Sequence, residues 1–246
     1  MNEKRKAGMP RGTKAPDGSD PHGSFDDLGR TGCMELSQYE DHLIRVTDTL
    51  GGTFEGFAEA FSAGYGLRTF GREEESVKIG AHRLFADDIA CLEPLGWKRA
   101  VRRFSELTNE ELYAVMKLRV DVFVVEQQCP YPELDDRDQD ALHLWLANDD
   151  GIQAYLRVLG PGVESEYAAL GRVVTRLRRQ GLGSMLLKEG IRAAQDHFGA
   201  ETLYLEAQLY ARGLYEKHGF RQVSDVFMMD GIPHIRMIRE ACGAEE

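Results

Sequence analysis

From about residue 97 to 241, apolar positions fall into short blocks that switch between strand and helix spacing. Lys98 to Phe104 reads as a first strand. Thr108-Asn109-Glu110-Glu111 has capping-box spacing and opens a helix through about Val122. His143 to Ala147 and Ile152 to Leu159 read as strands around the hairpin turn Asn148-Asp149-Asp150-Gly151. Ala169 to Val174 reads as a strand, and Ser184 to Ala194 as an amphipathic helix. Thr202 to Gln208 reads as a strand, and Ala211 onward as a short helix stopped by Gly219. Strands Arg221–Val226 and His234–Arg239 close the series. This alternation predicts an α/β, layered α+β domain with a mixed central β-sheet flanked by helices.

The preceding segment reads differently. Residues 1 to about 32 are rich in Gly, Pro, Asp, Ser and Lys and are expected to be disordered. Beyond them, Leu36, Tyr39, Leu43, Ile44 and Val46 suggest a helix, and Phe54, Phe57, Ala58 and Phe61 another. Val77 to Leu92 holds a third apolar element. The organisation expected is therefore an extension over 1–96, helical after about residue 32, followed by a domain over 97–241. The extension carries no motif. It reads equally as a helical appendage, a dimerisation element or leader sequence.

Between the strand at Val173-Val174 and the next helix lies Arg178-Arg179-Gln180-Gly181-Leu182-Gly183, an R-x-x-G-x-G turn. Two glycines let the backbone approach a ligand closely. A helix starting there presents free N–H groups and the positive end of its dipole, which suits phosphate. About thirty residues on, Tyr215-Glu216-Lys217-His218-Gly219-Phe220 ends the second helix. With that order of elements, the chain resembles the GNAT superfamily of acetyl-CoA-dependent N-acetyltransferases. The blocks Leu118 to Tyr131 and Asp230 to Ile235 resemble its ElaA-like branch. The resemblance spans about residues 97 to 241.

The resemblance implies acetyl-CoA as cosubstrate, with its pyrophosphate on Arg179, Gly181, Gly183 and Ser184 and with Arg178 opening the motif. The edge of Val173 and Val174 would pair with the pantetheine arm. Gln208 stands where the family often has an Asn on that arm. Tyr215 matches the general acid that protonates the departing thiolate. The general base is not marked in the sequence. Glu126 is the first candidate, followed by His143, Glu206 and His234. Arg119 with Phe123 also resembles acyl-homoserine-lactone synthases, but those lack the glycine turn. A non-catalytic acyl-CoA sensor is the other alternative.

Composition narrows the partners. The net charge of −11 argues against nucleic acid. There is no run of about 18 apolar residues, so no transmembrane helix is expected. No apolar stretch follows the basic N-terminus, so a secretory signal is not expected, and the cytoplasm is the expected location. Cys33, Cys91, Cys129 and Cys242 form no C-x-x-C pair, and no metal is expected. The acceptor is expected to be a small-molecule or peptide amine, and a homodimer is an expectation by analogy. Glu133, Asp135, Asp136, Asp138 and Asp140 crowd one loop. It reads either as a solvated loop or as an acidic rim that attracts a cationic amine.

Overall fold

The computed structural model describes residues 35–241. The expected disorder up to about residue 32 lies outside the described residues. From Glu35 onward the chain forms one compact unit. It opens with β1 (His42–Asp48), β2 (Thr53–Phe61), α1 (Ala63–Phe70), β3 (Ser76–Ile79), β4 (His82–Phe85) and the long β5 (Ile89–Arg103). It continues with α2 (Asn109–Arg119), β6 (Ala141–Asn148), β7 (Gly151–Leu159), β8 (Ala168–Thr175), α3 (Leu182–Phe198) and β9 (Thr202–Gln208). The last elements are α4 (Arg212–Glu216), β10 (Arg221–Gln222), β11 (Phe227–Met229) and β12 (Ile232–Glu240). All twelve strands join one mixed sheet in the order β10-β12-β9-β8-β7-β6-β5-β1-β2-β3-β4, with β11 on β12. The layered fold expected from the pattern is present.

Helices cover both faces of its centre. Leu142, Leu144 and Leu146 of β6, and Ala154, Leu156 and Val158 of β7, point into one core with Leu186, Leu187 and Ile191 of α3. The alternate residues Trp145 and Tyr155 meet Val115 and Leu118 of α2 in a second core. A central strand buried on both faces reads as a continuous apolar run, as β6 does. The Thr108 hydroxyl accepts from Glu111 N–H at 3.1 Å, and Glu111 answers at Thr108 N–H at 2.9 Å, so the capping box forms as expected. Beyond Arg119 the helix loosens to i→i+5 bonds, with Gln127 N–H donating to Val122 C=O at 3.0 Å. Such a wide turn re-aims the residues after it.

The expectation of helices at 36–46 and 54–61 is overturned, because apart from one 3₁₀ turn at Leu36–Tyr39 these stretches form the antiparallel pair β1–β2. Phe54, Phe57, Ala58 and Phe61 carry helical spacing because apolar residues fall on both faces of β2, with Phe57 and Ala58 buried on opposite sides. Leu43 and Phe57 enter the main core beneath α3, while Phe61 stacks on Tyr65. The boundary expected at 96/97 also fails, since it falls inside β5. The first part of that strand pairs with β1 and the second with β6. Arg99 on β5 holds Asp41 at 2.6 Å and Glu189 of α3 at 2.5 Å, tying the amino-terminal strands to the central helix.

Candidate active site

Strand β8 makes the site. Tyr155 on β7 faces Val174, but Arg157 faces Gly171, so β8 carries one extra residue in this interval. Arg172 takes up the bulge with φ of 54°. A bulge bends its strand. Parallel pairing with β9 accordingly stops after Ala169↔Tyr204. Beyond it the two strands splay around a cleft of 840 Å³. Val173 and Val174 line this cleft with a backbone edge that no strand occupies.

The glycine turn closes one end. Gly181 is the N-cap of α3, with φ of 80° and no side chain to satisfy the first amides. The first intrahelical bond there is Met185 N–H to Gly181 C=O at 3.0 Å. The N–H groups of the first helical turn therefore have no side-chain cap, and Gly181, Gly183 and Ser184 all line the cleft. Such an end attracts an anion. A pyrophosphate-bearing group fits it, and Arg178, Arg179 and Lys217 border the same end. Gly183 also has a packing reason. A Cβ there would meet Leu214 Cδ2 at 3.2 Å, so this glycine permits close packing of α3 on α4. Ser184 Oγ lies 2.8 Å from His218 Nε2, which ties α3 to the turn that follows α4.

Tyr215 sits on the cleft wall beside this end, and its ring is packed edge-on to Phe220. Burial pushes its phenol well above the ordinary value, with the nearby Tyr210 adding to the shift. The group therefore stays protonated at neutral pH and is a proton donor rather than a base. Gln208 also lines the cleft, but its amide exchanges two hydrogen bonds with Gln127, at 3.0 and 3.2 Å. The expected contact to a cofactor arm would have to displace that pair.

Glu126, the first candidate for a base, does not line the cleft. It is half exposed and ion-paired with Arg178 at 2.5 Å. His143 is fully buried beneath α2, bonded to the Tyr155 hydroxyl at 2.8 Å and to Asp138 C=O at 2.9 Å. Burial lowers its pKa, so it is a neutral core group. Glu206 and His234 do reach the cleft.

The acidic loop is neither a solvated segment nor a free rim. Arg119 is fully buried and binds Glu133 at 2.5 Å and Asp138 at 2.8 Å. Arg157 binds Asp135 at 2.5 Å and Asp138 at 3.1 Å. Arg172 binds Glu133 at 2.9 Å and Asp135 at 3.2 Å. Three guanidinium groups thus match three carboxylates under the bulge, leaving only Asp136 and Asp140 of the five exposed. Arg119 faces this cluster and does not line the cleft. The acyl-homoserine-lactone reading loses the arginine it leaned on.

The bulge end of the cleft holds a residue that sequence reasoning missed. Glu164, in the loop between β7 and β8, lines it together with Arg137, Tyr204 and Glu206. Its carboxylate lies 3.6 Å from Arg137 Nη1. Burial raises its pKa above the ordinary value, and Glu206 adds to the shift. A single glutamate in a Gly-Pro-Gly loop carries no signal in one sequence. Cys129 is buried on the cleft wall, with Sγ 3.3 Å from Asp230 C=O. Among the described residues no group of three or more His, Cys, Asp or Glu could hold a metal. Among them too, no helix is long and apolar enough to cross a membrane.

A mixed sheet splayed at a bulge, with a glycine turn opening a helix at the mouth of the gap, is the fold of the acyltransferases this chain is similar to. The chain belongs to the GNAT acetyltransferase family: the Acetyltransferase (GNAT) domain model matches residues 106–241. The chain is 38% identical over 144 residues to the protein ElaA of Escherichia coli, covering 57% of this chain and 94% of the relative. It is 40% identical over 155 residues to a UPF0039 protein of Mycobacterium tuberculosis, covering 60% of this chain and 97% of the relative. The crystal structure of an acyl-CoA N-acyltransferase from Pseudomonas aeruginosa is similar at TM-score 0.55 and 39% identity, over 58% of this chain and 99% of that one.

Proposed function

We propose that the protein is an N-acetyltransferase that takes the acetyl group from acetyl-CoA and passes it to a primary amine by direct attack in a ternary complex. The observation that carries this reading is the continuity of the site. The free edge of β8 and the uncapped start of α3, joined by the turn 176–181, line the same cleft, so an extended arm and a pyrophosphate find their partners in one site. The thioester supplies an activated acyl carbon when bound. Val173 and Val174 offer backbone groups that orient the arm. The amides of Gly181 to Ser184 hold the phosphates, with Arg178, Arg179 and Lys217 adding positive charge. Tyr215 gives its proton to the departing sulfur. A small-molecule or peptide amine, a cytoplasmic setting and no nucleic-acid partner remain part of this reading, the last supported by the net charge of −11.

The test is Tyr215→Phe, which keeps the ring and removes the proton. kcat for acetyl transfer should fall by about 10²-fold, the low end for acid–base catalysis, while CoA affinity by calorimetry stays within about twofold. Unchanged turnover with chemistry rate-limiting would reduce Tyr215 to packing. Tight CoA binding with no amine acetylated would leave a sensor in place of an enzyme.

A further inference from the structure

We propose that the acceptor is a small cationic primary amine, held at the bulge end of the cleft between Glu164 and Glu206, with Glu164 taking its proton. The inference rests on the acetyltransferase reading and gives it a substrate class and a base.

Charge is separated along one cleft. The glycine-turn end carries Arg179 and Lys217, with Arg178 paired to Glu126 at its border. Arginine is present at the bulge end too, but it is committed. Arg157 and Arg172 are matched from below by Glu133, Asp135 and Asp138. Arg137 lies against Glu164. Arg236 pairs with Glu206, so of the three carboxylates that line the cleft, Glu164, Glu206 and Asp230, one exceeds the arginines beside them. A site whose arginines already hold carboxylates is poorly suited to an acidic or zwitterionic acceptor, and the excess negative charge attracts an ammonium group.

The two glutamates are not equivalent. Glu206 is fixed: Tyr204 donates to its Oε1 at 2.8 Å and Arg236 Nε does so at 3.1 Å. It sits on β9 opposite Arg236 of β12 in the sheet register, so its position is rigid. Glu164 is on a loop, and its one ion pair is long. A carboxylate held by two donors is a weak base, and a desolvated one with a loose partner is a better base. Glu206 therefore positions the ammonium group, and Glu164 removes the proton that blocks its lone pair.

The proton count closes. Glu164 takes one proton from the ammonium and later releases it to water. The amine nitrogen forms the C–N bond as the C–S bond breaks. The second proton leaves that nitrogen through solvent and replaces the one Tyr215 gives to sulfur.

The experiment uses the full chain, acetyl-CoA and three amines: 1,4-diaminobutane, glycinamide and glutamate. The dication should be the best acceptor and glutamate the worst, and raising the salt concentration should narrow the gap. Glu206→Gln should raise KM for diaminobutane about tenfold with kcat nearly kept. Glu164→Gln should lower kcat about 10²-fold, and Glu164→Asp should restore part of it. CoA affinity by calorimetry should be unchanged in all three variants, which controls for folding. Robust transfer with glutamate preferred, or with KM and kcat unmoved in both Gln variants, overturns the amine assignment and leaves the acetyltransferase reading standing. CoA binding with no transfer to any of the three, or to a wider amine panel, overturns both.

Discussion

At the glycine-turn end of the cleft the binding atoms are backbone amides of consecutive residues, Gly181 to Ser184. At the bulge end they are side chains from three separate segments: Arg137, Glu164, and Tyr204 with Glu206 on β9. One end needs only a local conformation, φ of 80° at Gly181, and a helix to follow it. The other needs a buried platform of Arg119, Arg157 and Arg172 with Glu133, Asp135 and Asp138 beneath it. The difference teaches that a backbone anion site can be local while a pocket of charged side chains is a tertiary object. Similar chains could therefore share the first and differ in the second.

The comparison breaks most visibly at the platform. Arg119→Met leaves Glu133 and Asp138 short of a partner in the interior, and breaking a buried pair in this way costs about 3–5 kcal/mol. Urea unfolding should show that loss. Acid acts on the same cluster. Burial alone would raise Asp135 and Asp138, but the hydrogen bonds and charge of Arg157 and Arg119 outweigh it and hold both below the ordinary carboxylate range. Their folded pKa values are depressed, so their stabilisation is present above the unfolded value of about 3.9 and is lost as pH falls through the folded values. The wild type should lose stability below about pH 4, and Arg119→Met should lose less on acidification because part of the depression is already gone. An identical pH slope in both proteins would remove Arg119 from the account.

A smaller effect is expected at the turn. Gly181→Ala forces a Cβ into the left-handed region at a cost of about 1–2 kcal/mol. No atom within 4 Å crowds that Cβ, so the cost is conformational. CoA affinity should weaken by up to about tenfold, with the KM of the amine unmoved. A full-strength CoA site in Gly181→Ala would show that the turn conformation does not matter. The smallest effect is at Glu126. Its pair with Arg178 is half exposed. Glu126→Gln should change stability by about 1 kcal/mol or less and leave kcat alone. A 10²-fold loss of kcat would return Glu126 to the role of base and displace Glu164.

The family, the layered fold and the glycine-turn end were legible in the sequence for one reason: each depends on short-range pattern. The capping box at Thr108, the alternation of β6 to β9 and the R-x-x-G-x-G spacing are written within a few residues of where they act. Helical spacing at Phe54 to Phe61 misled because a strand with apolar residues on both faces imitates it, and only pairing with β1 and β3 settled the matter. The break expected after residue 96 failed because β5 has one partner from each side of it. The loop of five carboxylates looked like a free acidic surface because its partners Arg119, Arg157 and Arg172 sit on α2, β7 and β8, up to 39 residues away along the chain. Glu164 was invisible for the same reason. Local sequence determined the conformations that backbone hydrogen bonds and side-chain spacing enforce. Tertiary structure alone decided which charges meet, because desolvation and ion pairing act between residues that only folding brings together.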